Sequence, residues 1–191
     1  GMTTEWTRQQ VGEAQYYQAL AGWDTKQILA STPHMLNLAS AGGMDLGAAS
    51  DMVTDAMTAF GLKASDTFKN AHGKEISAAE YFVDMAAKLQ ASSNTDLYQA
   101  REAFKYGAPT IGAMFANVEG QEGIQMRMEA ARQMMIMVGA MANAGIKGSM
   151  AGTGVNTLMN RLAGENRNTA FAERLLGLEH AKDGQMLMPL E

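Results

Sequence analysis

The stretch from Gln121 to Leu162, QEGIQMRMEAARQMMIMVGAMANAGIKGSMAGTGVNTLMNRL, constrains this chain more than any other. It reads as a long helix, a glycine-marked break and a second helix. Within the first helix, Ile124, Met128, Ala131, Met135, Val138 and Ala142 step by four and three, the spacing of one helical face. Beside them Ala130, Met134, Met137, Met141 and Ala144 do the same, and Ile136 lies outside both rows. A helix apolar nearly all round is buried on several sides, in its own fold or against another chain. Met128, Met134, Met135, Met137, Val138 and Met141 are therefore the candidate helix-packing or interaction residues.

The partners that bury such a helix are themselves helical. Aromatic residues make up 7% of the chain, Ala, Met, Leu and Gln are abundant, and no run shows the β-branched alternation of strands. The 17 methionines have two readings: flexible filling of a helical core, or an adaptable surface for partner helices. At 191 residues the chain is long enough for one domain with a real core. The expectation is a single all-α domain, a compact bundle of about seven to nine helices.

Several classes of function find no support. Without cysteine there is neither disulfide nor thiolate zinc site. A formal net charge of -5 with no basic cluster argues against nucleic-acid binding. No apolar run approaches the ~20 residues of a membrane span, and the polar start, MTTEWTRQQ, does not resemble a signal peptide. Gly1 before Met2 reads as an expression scar.

Taken in order, Thr4 to Gly22 look helical. Asp24 caps a second helix, with Gln27 placed for a capping box. Pro33 is expected to restart that helix, and Gly42 and Gly43 to end it. Asp45 caps a third, whose face is Leu46, Ala49, Val53, Ala56, Met57 and Phe60, with Gly61 as a left-handed stop. Between Leu62 and Glu75, Phe68 is expected to anchor a short helix, with a turn from His72 to Glu75. Ser77 and Glu80 form a capping box for a helix to about Ala91. Thr95 is expected to cap the next, with Asp96 at its positive end, and Pro109 to interrupt it. Thr169 opens a last helix with Phe171, Leu175, Leu176 and Leu178, and the tail from Gly184 frays.

Little of this suggests chemistry. His34, His72 and His180 lie far apart and form no metal-binding pattern. GIKGSMAGTG, Gly145 to Gly154, is glycine-rich ahead of a helix, as anion-binding loops are. Yet Lys147 precedes Gly148, the reverse of the phosphate-loop order, and no strand leads into it. It reads instead as a tight αα-corner in which Gly145, Gly148 and Gly152 permit positive φ and close helix approach. No catalytic, cofactor-binding or metal residue is assigned.

Three blocks carry a resemblance. AGIKGSMAGTGVNTLMNRLAG, Ala144 to Gly164, resembles the most recognisable segment of the phage tail tape measure protein family. The run from Ala19 to Leu62 and that from Ser92 to Pro109 resemble the same family in the same order. The match covers roughly residues 14–164; residues 165–191, with the extra C-terminal helix, have no family reading. The resemblance implies a structural phage or prophage protein, one segment of a longer chain, in the lumen of the tail tube and, during assembly, in the host cytoplasm. Its length sets tail length, and its implied partners are tail tube subunits, the tail assembly chaperone and other copies of itself. Some members carry peptidoglycan-cleaving domains; nothing here resembles one. The other reading is a helical adaptor that binds a partner protein through Gln121 to Ala144.

Overall fold

The structure, a computed structural model, describes residues 6–69, 73–163, 179–180 and 186–187. Seven helices stand among the described residues: α1 (Arg8–Leu20), α2 (Thr25–Gly42), α3 (Leu46–Ala59), α4 (Ala78–Ser92), α5 (Leu97–Met114), α6 (Gly120–Asn143) and α7 (Gly148–Ala163). The fold is all-α. Two small antiparallel hairpins accompany it: β1 (Thr67–Lys69) with β2 (Glu75–Ser77), and β3 (Glu179–His180) with β4 (Met186–Leu187).

Most helix starts follow from local hydrogen bonding. Asp24 accepts from the Gln27 amide at 2.8 Å, while the Gln27 side chain accepts from the Asp24 amide at 2.8 Å, a complete capping box. Asp45 accepts from the Ala48 amide and Ser77 from the Glu80 amide. Gly43 and Gly61 take left-handed φ of 59° and 70° at the ends of α2 and α3, where a Cβ would be strained.

Four local expectations are corrected. Pro33 does not restart a helix, because α2 runs unbroken through it. Near the break that a missing N–H creates, the Ser31 hydroxyl donates to the Gln27 carbonyl (2.8 Å) and Thr32 to the Ile28 carbonyl (2.6 Å). Pro109 likewise lies inside α5. Asp96, not Thr95, caps α5, accepting from the Gln99 amide at 2.8 Å, while Thr95 is buried. Phe68 anchors a strand rather than a helix: Thr67–Lys69 and Glu75–Ser77 pair with Phe68 opposite Ile76, both buried, and Phe68 meets Tyr81 edge-on at 4.6 Å. Each strand is three residues long, too short for alternation to stand out in sequence.

The helix expected from Thr169 lies mostly outside the described residues. In the tail expected to fray, Met186–Leu187 pairs with Glu179–His180.

The core is centred on Phe60, Phe82 and Phe104, contributed by the end of α3, by α4 and by α5. Their rings lie 6.4 Å (Phe60–Phe82) and 5.6 Å (Phe82–Phe104) apart at inclined angles, the favoured arrangement for aromatic pairs. Around them pack Met35 and Leu38 of α2, Met52 and Met57 of α3, and Met128 and Met134 of α6. Methionine thus fills much of the interior, as an unbranched, adaptable side chain can. The Arg101 guanidinium of α5 bonds the Asp51 carboxylate of α3.

Candidate functional site: the α4–α6 groove and the α6–α7 corner

The long helix α6 starts without a side-chain cap. Gly120 turns with φ 69°, and Arg127 donates to the Val118 carbonyl at 2.8 Å. Gly123 lies so close to that carbonyl that a Cβ would overlap it. The Gln121 side chain donates to the Thr67 carbonyl at 2.6 Å, fixing α6 to the first hairpin.

The interaction residues expected from sequence divide between inside and rim. Met128, Met134, Met135 and Val138 are buried in this chain's own core. Met137 and Met141 are half-buried against it. Ile136, the residue outside both apolar rows, is 52% exposed.

Ile136 borders a groove between α4 and α6 of about 470 Å³. Tyr81, Met85, Lys88 and Leu89 line one wall; Arg132, Met135, Ile136 and Ala140 line the other. At its far end α4 and α6 approach closely over Gly139, where a Cβ would lie 3.1 Å from Leu89 Cδ1 and 3.3 Å from Ser93 Cβ. The Asn143 side chain accepts from the Asn94 amide at 2.8 Å and closes that end. The groove is apolar along its floor and carries two cations, with no carboxylate in its lining.

Arg132 is held by Glu129, one turn earlier, through Nε to Oε2 at 2.8 Å and a second guanidinium bond. Those bonds raise the Arg132 pKa above its ordinary value against the opposing effect of burial. Burial also raises the Tyr81 hydroxyl pKa, with Arg132 pulling it down and Glu129 pushing it up. Lys88 is exposed and makes no ion pair among the described residues. The uncompensated charge of the groove is therefore positive. Sequence reasoning missed this surface, since its two walls come from helices far apart in the chain; the signal was Ile136 standing outside the rows.

The corner between α6 and α7 is built on glycine. Gly145 has φ 88° and Gly148 φ 58°, and the Ile146 amide donates to the Met141 carbonyl at 2.8 Å. The turn follows a helix rather than a strand. Gly152, one turn into α7, packs on the backbone of Ala103 in α5, where a Cβ would overlap the Ala103 carbonyl. Gly107 of α5 meets α7 beside it, with the Gly152 carbonyl 3.3 Å from where its Cβ would stand. Gly145, Gly148 and Gly152 are thus brought to one corner.

Among the described residues no group of three or more His, Asp or Glu side chains is placed to hold a metal ion, and no helix is long and apolar enough to cross a membrane.

Helices that meet through small residues and methionine, with an apolar groove on the outside, define an all-α protein of packing surfaces. The family model described as phage-related minor tail protein matches residues 1–191, and the chain belongs to that family. A tape measure protein of Pneumococcus phage Dp-1 is 27% identical over 190 residues, covering 100% of this chain and 14% of that protein. The chain therefore spans a small fraction of the length of the curated relative it matches. No solved structure matches it. Membership places the chain among structural proteins of the phage tail.

Proposed function

We propose that this chain is a segment of a tape measure, the protein whose length sets tail length and on which the tail tube assembles. The observation that carries this is alignment of the whole chain with a tape measure protein. In this reading the segment lies in the lumen of the tail tube, and passes through the host cytoplasm during assembly. It meets tube subunits, the assembly chaperone and further copies of itself. It acts as one helical domain with no catalytic, cofactor or nucleic-acid-binding role. Met137, Met141 and the rim of α6 serve as packing surface, and Gly145, Gly148 and Gly152 as the corner between α6 and α7.

Size bears on how such a segment occupies a tube. A compact chain of 191 residues has a radius of gyration near ~16 Å, hence a diameter of ~40 Å. As one continuous helix it would reach ~290 Å. In this reading the bundle is the packing in which copies first meet, and its helices open into longer rods in the assembled tail. Hydrogen exchange on free protein and on intact tails tests the opening; equal protection of α4 to α7 in both states would exclude it. In-frame deletion of the segment, followed by electron microscopy, tests the role itself. Tails shorter by up to ~290 Å are expected, and tails of unchanged length would refute it.

A second reading, an adaptor that binds a partner through residues 121–144, draws on the exposure of Ile136 beside the groove. It is weakened by burial of Met128, Met134, Met135 and Val138 within the chain itself. A partner bound through α6 by the isolated chain, with tails unaffected by its loss, would favour it.

A further inference from the structure

The α4–α6 groove is concave, apolar and positive, in a chain whose net charge is -5. Helix α1 presents the converse. Gln9, Glu13, Tyr16 and Leu20 step by four, three and four, so they form one stripe along the helix. All four are exposed; Tyr16 is 61% and Leu20 64% accessible. Glu13 makes no ion pair among the described residues. On the inward side of α1 Ala14 and Gln18 are buried, and Glu13 lies at its border, its carboxyl carbon 3.6 Å from where a Cβ on Gly47 of α3 would stand.

We infer that α1 of one copy seats in the α4–α6 groove of the next, with Tyr16 and Leu20 against Met135 and Ile136, and Glu13 facing Lys88. The inference rests on the reading that the segment packs against further copies of itself, and names the two surfaces that meet. The occupant is a second copy because both complementary halves belong to this chain. The stripe is apolar at Tyr16 and Leu20 and carries the carboxylate of Glu13; the groove is apolar with one free ammonium at Lys88. Their lengths agree as well. Gln9 to Leu20 and Arg132 to Asn143 each cover about 16 Å of helix. Ala140, short and exposed on α6, leaves room for side chains of an incoming helix. Because the surfaces differ, the contact forms either reciprocally about a two-fold axis or head to tail, and in both cases α1 of one copy meets the groove of another. The opposite free charges set the register and the orientation of approach.

The absence of native cysteine makes the test clean. Tyr16→Cys and Ile136→Cys proteins, mixed and mildly oxidised, are expected to give the mixed disulfide in preference to either disulfide with self. In that mixture Glu13→Lys on the first protein lowers the yield about threefold, and Lys88→Glu on the second restores it. Light scattering on Leu20→Glu, with its helical content checked, is expected to show loss of self-association. A preference of Ile136→Cys for itself, absence of the mixed disulfide, or unchanged association of folded Leu20→Glu would overturn the inference. If the chain still enters tails in any of those cases, only this contact has failed. If deletion leaves tail length unchanged yet the mixed disulfide forms, the tape measure reading has failed and the contact stands.

Discussion

Gly152 of α7 faces the main chain of Ala103 in α5, and a methyl group at 152 would overlap the Ala103 carbonyl oxygen. A carbonyl in the middle of a helix cannot retreat as a flexible side chain can. Gly152→Ala is therefore expected to push α7 off α5 and lower stability by about 1–3 kcal/mol. Gly154 is the control two residues away. Its Cβ would meet only the end of the Met141 side chain, 3.3 Å from Cε, so Gly154→Ala should cost less than Gly152→Ala. Urea denaturation of the two variants checks the order, and equal midpoints would refute the close approach.

Phe82 lies between Phe60 and Phe104 and is fully buried. Three elements lose contact at once if it is truncated. Phe82→Ala should cost about 3–5 kcal/mol, transfer and cavity together. Exposed Met150 of α7 gives the baseline: Met150→Ser should stay within about 0.5 kcal/mol. Thermal unfolding by circular dichroism reads both.

Asp96 and Thr95 stand side by side, yet only Asp96 bonds the Gln99 amide. Asp96→Ala is expected to cost about 1 kcal/mol by loss of the cap. Hydrogen exchange should locate the effect in the first turn of α5. Uniform loss of protection through α5 would place the role of Asp96 elsewhere.

Acid dependence follows from Asp55 of α3. Burial foremost, then the neighbouring Asp51 carboxylate, raises its pKa above the ordinary 3.8, while Arg101 and Lys105 act in the opposite direction. A carboxyl with a raised folded pKa binds its proton more readily in the native state than in the unfolded chain. Its ionised form thus opposes folding above the folded pKa, and this cost vanishes below the unfolded value of ~3.9. Asp55→Asn should raise stability at pH 7, by less than about 1 kcal/mol because the group is largely solvated. The gain should disappear as pH falls towards 4. Melting temperatures of both proteins at the two pH values decide, and a gain that persists in acid would rule out titration of Asp55 as its source.

Capping at Asp24, Asp45 and Ser77, and the left-handed stops at Gly43, Gly61 and Gly145, were legible because each depends on atoms within one or two turns. The prolines were not. Pro33 and Pro109 are helix breakers by local chemistry, but helices held by burial on both sides of the proline run through them. The first hairpin was missed for a related reason. Phe68 and Ile76 need each other and Tyr81, and no three-residue run announces such a set.

Period and capping along the chain were enough to determine an all-α protein with a long, methionine-rich helix and a glycine corner after it. Only tertiary packing decided which methionines face inward. Only there did Lys88, Arg132 and Ile136 become one groove, because its walls come from α4 and α6, separated in sequence by all of α5. Periodicity reports a helix's apolar face; which neighbour covers that face depends on how closely backbones can approach, and here contacts such as those at Gly139 and Gly152 set the distance.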